Sequence, residues 1–433
     1  MDAEAILGLW SALDEYLGEF DGCMGRATNR PHLRTYVAGQ LGPLERKSVE
    51  PIADAAAMPP RTLQAFLGVF GWDHGAVRDR HQRRVARLHH HAGAIGVLDG
   101  SSFPKKGRKT AGVQRQHCGA LGKVENCVAS VHLGYATPTF GTLLDGEVYV
   151  PESWCADPAR RREAGVPDDL VFRTKPRIAL DLLARARGNG ISPAWLVFDE
   201  EYGGNVPFLH ELDERGQRFV GEVPVSFRVW TREPATRLRR HPCDAQRPGP
   251  GRPLKVRTHR MSEVQMVLAH SPRVRRETWV PYQVFESTKG PQVWEAIRLM
   301  VHLKKPDGAP TRPYHLVIAR SVLIKGEVKF FISNAPERTP VEDLLFVAFS
   351  RWRVERLFQE SKGELGLDHF EVRTFTAVQR HLILTCLSHT FLMEHCERYR
   401  GEKTGADRLP GPRRHEPPGA ALERREALLA TAR

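Results

Sequence analysis

Two short apolar runs, each followed by an aspartate, constrain the fold of this chain more than any other feature. Residues 94–98 precede Asp99, and residues 195–198 precede Asp199. Apolar runs of four or five residues bounded by turn residues are typical of buried β-strands. Because the small residues Gly-Ser-Ser follow Asp99, the first strand is predicted to end at that acid. We therefore expect a sheet with carboxylates at the ends of two buried strands.

The segments around these two runs predict the order of the sheet. Residues 126–135 and 140–150 have the composition of two further strands, and residues 175–187 have the periodicity of an amphipathic helix. Strand, strand, strand, helix, strand is the order of a ribonuclease H-like α/β fold. In that fold the strand after the helix lies parallel beside the first, so their ends bring two aspartates together.

A third acid occurs on a charged but periodic segment late in the chain, SRWRVERLFQESKGELGLDHF, residues 350–370. Offsets of four and seven residues return to one side of an α-helix, so Arg351, Glu355 and Lys362 share one face. An apolar stripe beside them faces the core and places Glu355 at its edge. A solvated ladder of salt bridges explains the same spacing.

Composition predicts five parts of the chain. Residues 1–90 contain helical apolar stripes and are predicted to be a helical N-terminal DNA-binding domain. Residues 91–223 and 326–398 are predicted to be the two parts of a catalytic core. Residues 224–325 between them are rich in basic residues and predict a β-rich insertion. Residues 399–433 are rich in Pro, Gly and Arg, lack core residues and predict a basic, disordered tail.

The charge of the chain indicates a polyanionic partner. Among 433 residues, 64 are Lys or Arg and 51 are Asp or Glu, which gives a formal net charge of +13 and a sequence pI near 9.6. The seven cysteines include no C-x-x-C pair, which favours a reducing compartment. No signal peptide and no stretch of eighteen apolar residues is evident. We expect a cytoplasmic protein without a membrane partner, associated with the nucleoid when bound to DNA.

The three acids predict a metal centre. Carboxylate oxygens from Asp99, Asp199 and Glu355 are hard ligands that suit Mg²⁺, with Mn²⁺ as a substitute. Two such ions together stabilise the attacking and leaving oxygens of an in-line phosphodiester displacement. The predicted catalytic residues and the predicted metal ligands are therefore the same three acids.

The sequence around the three acids resembles a known family. The first acid lies in LDGSSFPKKGRKTAGVQRQHCGALGKVENC, the second in VFDEEYG and the third in RWRVERLFQESKGELGLDHFEVR. These ordered motifs resemble the DDE transposases of bacterial insertion sequences, a group of DDE superfamily endonucleases. The resemblance is to the insertion sequence 4 superfamily, and within it to the insertion sequence 701 branch. Arg351, Glu355 and Lys362 fill the Arg, Glu and Lys positions of the third motif, whereas its Tyr position is Ala348.

The resemblance implies a function and a set of partners. It implies cut-and-paste transposition, in which the protein binds transposon ends and catalyses metal-dependent strand cleavage and strand transfer. The implied partners are double-stranded DNA, both terminal inverted repeats and target DNA, and a second copy of the chain on that DNA. Arg351 and Lys362 are expected to hold phosphates of the cleaved strand.

Three further basic residues lie close in sequence to the first acid. Lys105 and Lys106, in the FPKKG segment, are placed to contact the DNA backbone, although a solvated turn explains them equally well. Arg115 is expected to contact DNA near the same site. We predict DNA-binding roles for all three.

Two other functions fit the same residues. The chain can be a captured DNA-binding protein without catalysis, although intact acids at all three positions argue against this. It can also be a ribonuclease H-like nuclease of DNA repair or recombination, although such a nuclease has no need of the large basic insertion.

Overall fold

A computed structural model describes residues 3–234, 237–239, 255–257, 260–287, 290–401 and 413–414. The chain divides into two compact units. The first comprises Met1–Leu196 and Arg351–Asp407, and the second comprises Val197–Ser350 and Arg408–Arg433. The five-part division predicted from composition stays a prediction.

The chain begins with five helices, which belong to the first unit. They are α1 (Ala3–Gly18), α2 (Arg30–Leu41), α3 (Val49–Ala55), α4 (Pro60–Gly68) and α5 (His74–Leu88), with short 3₁₀ turns at Asp21–Cys23 and Ala27–Asn29. Asp73 caps α5, because its carboxylate accepts a hydrogen bond from the backbone N–H of Ala76.

Four antiparallel strands follow in the same unit: β1 (Ile95–Pro104), β2 (Gln114–Cys118), β3 (Lys123–Ala136) and β4 (Gly141–Tyr149). Strand β1 pairs with β3 over its whole length, and both β2 and β4 pair with β3. The prediction that the first strand ends at Asp99 is wrong. The long β3 keeps Gly-Ser-Ser-Phe-Pro in the ladder, so Asp99 lies in the middle of β1, opposite His132.

Three helices connect β4 to the next strand. They are α6 (Glu152–Cys155), α7 (Pro158–Glu163) and α8 (Lys175–Gly188), and β5 (Trp195–Phe198) follows them. The predictions of helix α8 and strand β5 are confirmed. Thr174 caps α8 at its start, and Gly190, at φ +91°, allows the chain to turn after its end. The first unit gives way to the second within β5, after Leu196.

The second unit combines an antiparallel sheet with short helices. Its elements in chain order are α9 (Glu200–Gly203), α10 (Val206–Glu214), β6 (Phe219–Glu222), β7 (Arg228–Val229), β8 (Arg237–Arg239), β9 (Lys255–Arg257), β10 (Ser262–Glu263), α11 (Val264–His270), α12 (Pro272–Arg276), β11 (Val280–Ser287), β12 (Gly290–Val301), β13 (Tyr314–Ser321), β14 (Val328–Ser333) and α13 (Val341–Phe349). The longer strands pair in the order β11, β12, β13, β14, β6. The Pro- and Gly-rich part of the predicted insertion, residues 240–254, lies outside the described residues.

The chain returns to the first unit with α14 (Trp352–Gly363) and α15 (Phe375–Gly401). A two-residue strand, β15 (Arg413–Arg414), pairs with β11, and the rest of the predicted disordered tail beyond Gly401 lies outside the described residues. No helix among the described residues is both long and apolar enough to span a bilayer.

The core of the first unit forms around α15. Apolar side chains of helices α1 to α5 pack against Ile383, Leu384, Leu387 and Phe391 of that helix. The hydroxyl of Tyr16 donates a hydrogen bond to the carbonyl of Leu387, 3.0 Å away. The mixed α/β class predicted from the sequence is therefore observed, with the N-terminal helices in the same unit as strands β1 to β4.

Candidate active site

Asp99 lies at mid-length on β1 in the first unit, and a cation lies beside its carboxylate. Its side chain is 17% exposed. Its Oδ1 accepts a hydrogen bond from the backbone N–H of Gly100 at 2.7 Å, and its Oδ2 lies 3.5 Å from Nη1 of Arg351. The contact links the first sequence motif to the third, because Arg351 occupies the N-cap position that directly precedes α14.

Helix α14 is held over the sheet close to Asp99. The buried ring of Phe358 meets the edge of the His132 ring, with centroids 5.2 Å apart and planes at 85°. His132 is the residue opposite Asp99 in the β1–β3 ladder. Gly146 of β4 leaves space for the His132 ring, because a Cβ at Gly146 would lie 2.5 Å from Nδ1 of His132. The strand register and this aromatic contact together fix the helix above β3.

Glu355 lies on α14 between these two contacts. It follows Arg351 by four residues and precedes Phe358 by three, so all three positions fall within two turns of the helix. Its side chain lies outside the described residues. The helix predicted for this motif is confirmed, and the turn that carries Glu355 lies between a residue that contacts Asp99 and one that contacts His132.

Lys362, one turn beyond Phe358 on α14, extends the positive charge of the site. It is half-buried, and its ammonium lies 5.7 Å from the centroid of the Phe358 ring. Burial, together with the charge of Lys362, lowers the pKa of His132 to about 3. His132 is therefore neutral at physiological pH, and its Nε2 forms a hydrogen bond with the hydroxyl of Ser130 at 2.7 Å.

Sequence reasoning missed two residues that position α14. No sequence pattern marks His132 as a site residue, because only the register of β1 with β3 places it opposite Asp99. No pattern marks Lys47 either, although its ammonium donates hydrogen bonds to the carbonyls of Gln40 at 2.6 Å and Gly42 at 2.8 Å, and to that of Glu364 at the end of α14. Burial lowers the pKa of Lys47.

Asp199 lies in the second unit, immediately after β5, as predicted. Its Oδ1 accepts a hydrogen bond from the backbone N–H of Glu201 at 3.0 Å, so it caps the short helix α9. Gly203 lets this helix approach β6 closely, because a Cβ there would lie 1.8 Å from the carbonyl oxygen of Glu222. The motif VFDEEYG therefore encodes a strand, a capping acid and a close helix–strand contact.

The three basic residues predicted near the first acid have different surroundings. Lys105 is half-buried and donates a hydrogen bond to the carbonyl of Phe370 at 2.6 Å, with its ammonium 3.6 Å from the centroid of that ring. Burial lowers the pKa of Lys105 to about 8. Lys106 is exposed in the loop after β1, and Arg115 is exposed on β2, opposite Asn126. The DNA-binding roles of all three stay predictions.

The donor chemistry of the predicted metal ligands fits a hard divalent cation. Asp99 and Asp199 are half-buried carboxylates, and the third position is a glutamate. Among the residues whose side chains are described, which do not include Glu355, no group of three or more His, Cys, Asp or Glu side chains could hold a metal ion. The assignment of the three acids as one ligand set stays a prediction.

Comparison with protein families identifies the chain. The family model described as DDE superfamily endonuclease matches residues 19–290, which include Asp99 and Asp199. The chain belongs to this family. Endonucleases of the DDE superfamily generally use divalent metal ions, which agrees with the oxygen donors described above. Glu355 lies beyond the matched residues.

Individual relatives give narrower similarities to this DDE superfamily endonuclease. A probable transposase for insertion sequence element IS701 from Microchaete diplosiphon is 28% identical over 218 residues, which are 48% of this chain and 52% of that protein. The chain therefore spans about half the length of this curated relative. A solved structure of the NurA nuclease from Sulfolobus solfataricus matches 64% of this chain and 86% of its own at 11% identity and a TM-score of 0.24.

Proposed function

We propose that this endonuclease is a transposase that binds the ends of an insertion sequence and catalyses metal-dependent strand cleavage and strand transfer. The observation that carries the proposal is the ion pair between Asp99 and Arg351, 252 residues apart in the chain. It joins the first and third motifs of the transposase resemblance within one compact unit. The similarity to a probable IS701 transposase supports the same function.

The proposed catalytic core is ribonuclease H-like. Strands β1, β3 and β4, helix α8 and strand β5 follow one another in the order that this fold requires, apart from the short β2 and the small helices α6 and α7. Asp99 lies on the first of these strands and Asp199 follows the last. Asp99, Asp199 and Glu355 are the proposed metal ligands and catalytic residues, and two Mg²⁺ ions, or Mn²⁺, are the proposed cofactors. When bound, these ions activate the attacking oxygen and stabilise the leaving oxygen of the phosphodiester.

The residues around these acids have separate proposed roles. Arg351 neutralises the Asp99 carboxylate in the free protein and exchanges this contact for a phosphate of the bound strand. Lys362, on the same helix, holds a neighbouring phosphate. The neutral ring of His132 supports α14 through Phe358 and carries no charge that would repel a cation. The proposed partners are terminal inverted repeats and target DNA, with a dimer assembled on the DNA.

Replacement of each acid by its amide tests the proposal. Asp99→Asn, Asp199→Asn and Glu355→Gln each keep the shape of the side chain but remove the charge that holds the cation. We expect each variant to lose about a thousandfold or more in Mg²⁺-dependent cleavage of end-containing DNA, because the metal contributes several kcal/mol to the transition state. The affinity for that DNA, measured without metal, should stay largely intact.

The matched control for these variants is Asp169→Asn, because Asp169 is an exposed aspartate of the first unit, which also contains Asp99 and Glu355. It should cut at the wild-type rate. If Glu355→Gln still cuts, the third acid is misassigned, and Glu360 and Glu201 are the next carboxylates to replace. If the wild-type protein binds transposon ends but never cuts them with Mg²⁺ or Mn²⁺, the chain is a DNA-binding protein without catalysis.

A further inference from the structure

A group of exposed cations in the first unit lies apart from the proposed metal ligands, and only Lys106 among them has a DNA-binding role predicted from the sequence. Lys106 and Arg108 lie in the loop between β1 and β2, Arg162 lies on α7, and Arg373 lies in the segment between α14 and α15. All four side chains are exposed, and in the described part of the chain none of them forms a salt bridge. Lys109 differs from them, because its ammonium lies 2.6 Å from Oε1 of Glu163.

Three separate segments carry these cations, and backbone contacts hold the segments together. The N–H of Ala111, in the β1–β2 loop, donates to the carbonyl of Arg373 at 2.8 Å. The N–H of Phe375 donates to the carbonyl of Ala164, which follows α7, at 2.8 Å. The loop, the helix and the linker are therefore held to one another at fixed positions.

Arg160 supplies the contact between α7 and the β1–β2 loop. Its guanidinium lies 3.8 Å from the centroid of the Trp154 ring, and Nη2 donates to the carbonyls of Val113 at 2.8 Å and Arg108 at 3.5 Å. The side chain thus ties α7 to the β1–β2 loop. Because loop, helix and linker each contact the other two, the exposed cations project from a preorganised support rather than from three independent loops.

We propose that Lys106, Arg108, Arg162 and Arg373 form a surface that binds the phosphate backbone of the DNA duplex flanking the cleavage position. This inference rests on the proposed function, because it takes DNA as the partner. Unpaired cations on a rigid support match the regular negative charge of a duplex and carry no information about base sequence. We call these four residues the flanking surface.

The position of the β1–β2 loop at the end of β1 predicts where the flanking surface contacts the duplex. Lys105, at the start of the loop, lies six positions after Asp99, and a strand rises about 3.3 Å per residue, so the loop begins about 20 Å from the first acid along the strand. This distance corresponds to about six base pairs at 3.4 Å per base pair. A duplex cut at Asp99 therefore reaches the flanking surface about six base pairs from the cut.

The test measures binding without metal, by fluorescence anisotropy, on an end-containing duplex of about 30 base pairs. For the triple variant Arg108→Ala, Arg162→Ala and Arg373→Ala, we expect the Kd at 150 mM salt to rise at least tenfold. The slope of log K against log salt should become shallower by about 2 to 3, because each phosphate contact contributes about 0.9. An unchanged Kd and slope in a variant with the thermal stability of the wild type would overturn the proposal.

Single variants provide a matched control. Arg162→Ala should make the slope shallower by about 0.9, and Arg338→Ala, which removes an exposed arginine of the second unit, should leave it unchanged. Equal effects of the two variants would show that only the total charge matters and would overturn the surface as a specific site. Loss of binding to vesicles of anionic lipid, with DNA binding unchanged, would assign the surface to a membrane and also overturn the proposal.

DNA length tests the position of the surface. On duplexes that end within about six base pairs of the cut on both sides, the difference between the triple variant and the wild type should disappear. A difference that persists on these short duplexes would overturn the location. Because all measurements omit metal, a wild-type protein that binds ends without cutting them would contradict the proposed function and leave the test of the flanking surface intact.

Discussion

Among single residues, Lys47 joins the N-terminal helices to the helix that carries Glu355. Its buried ammonium donates to the carbonyls of Gln40 and Gly42 near the end of α2, and to that of Glu364 after α14. The last carbonyls of a helix have no partner within the helix, so this one side chain satisfies acceptors at two helix ends. Gly366, at φ +69°, allows the chain to pass close to Lys47, because a Cβ there would lie 2.7 Å from that of the lysine.

Substitution of Lys47 by methionine tests this role. Lys47→Met keeps the length of the side chain but leaves three carbonyls without their donor, and we expect the free energy of unfolding to fall by about 2 to 4 kcal/mol. The measurement is urea denaturation followed by circular dichroism. Lys109→Met is the matched control, because Lys109 forms an exposed salt bridge and should change stability by less than about 1 kcal/mol. Equal effects of the two variants would contradict the assignment.

At the scale of secondary structure elements, α15 is a buried helix that carries polar side chains. His381 forms a hydrogen bond with the hydroxyl of Tyr36 at 2.8 Å, and His389 forms one with that of Thr142 at 3.1 Å. His81 of α5 bonds the hydroxyl of Thr390 at 2.7 Å. Burial lowers the pKa of His81 and His381 to about 4 and that of His389 to about 3. Each of these three rings is therefore neutral in the folded protein at physiological pH.

The lowered pKa values of these histidines predict that acid destabilises the first unit. Below the ordinary histidine pKa of about 6.5 the unfolded chain binds protons that the folded chain does not, so stability falls as pH decreases from about 6.5 towards 4. Each histidine contributes up to about 1.4 kcal/mol per pH unit in this window. We expect the urea midpoint to fall between pH 7 and pH 5.

A pair of histidine variants isolates this effect. His381→Asn should make the dependence on pH shallower, whereas His90→Asn, at an exposed position, should leave it unchanged. A urea midpoint that stays constant from pH 7 to pH 5 would contradict the prediction that these rings are buried in their neutral form.

At the scale of the whole molecule, the net charge of +13 is the property that matters most for the proposed binding of DNA. Contact with about five or more phosphates would release the same number of counterions. The logarithm of the binding constant should then fall with the logarithm of the salt concentration, with a slope of about −4.5 or steeper. The measurement is a titration of end-containing duplex at several salt concentrations. A slope near zero would remove the electrostatic basis for DNA as the partner.

Elements whose signals are local could be predicted from the amino-acid sequence. Helix α8 and strand β5 occur where their periodicity and turn residues predict them, because a helix end or a short buried run is set by neighbouring residues. The ordered motifs around Asp99, Asp199 and Glu355 indicated the family, which the match over residues 19–290 confirmed. The sequence also indicated that α14 exists and that Arg351 and Glu355 are one turn apart on it.

Features that depend on distant partners became evident only in the folded chain. Strand β1 continues through the turn-like residues after Asp99 because β3 supplies their hydrogen bonds. The contact of Asp99 with Arg351 and that of His132 with Phe358 join residues more than two hundred positions apart. Local periodicity carries no information about such pairs, because strand register and helix packing are set by the whole buried surface.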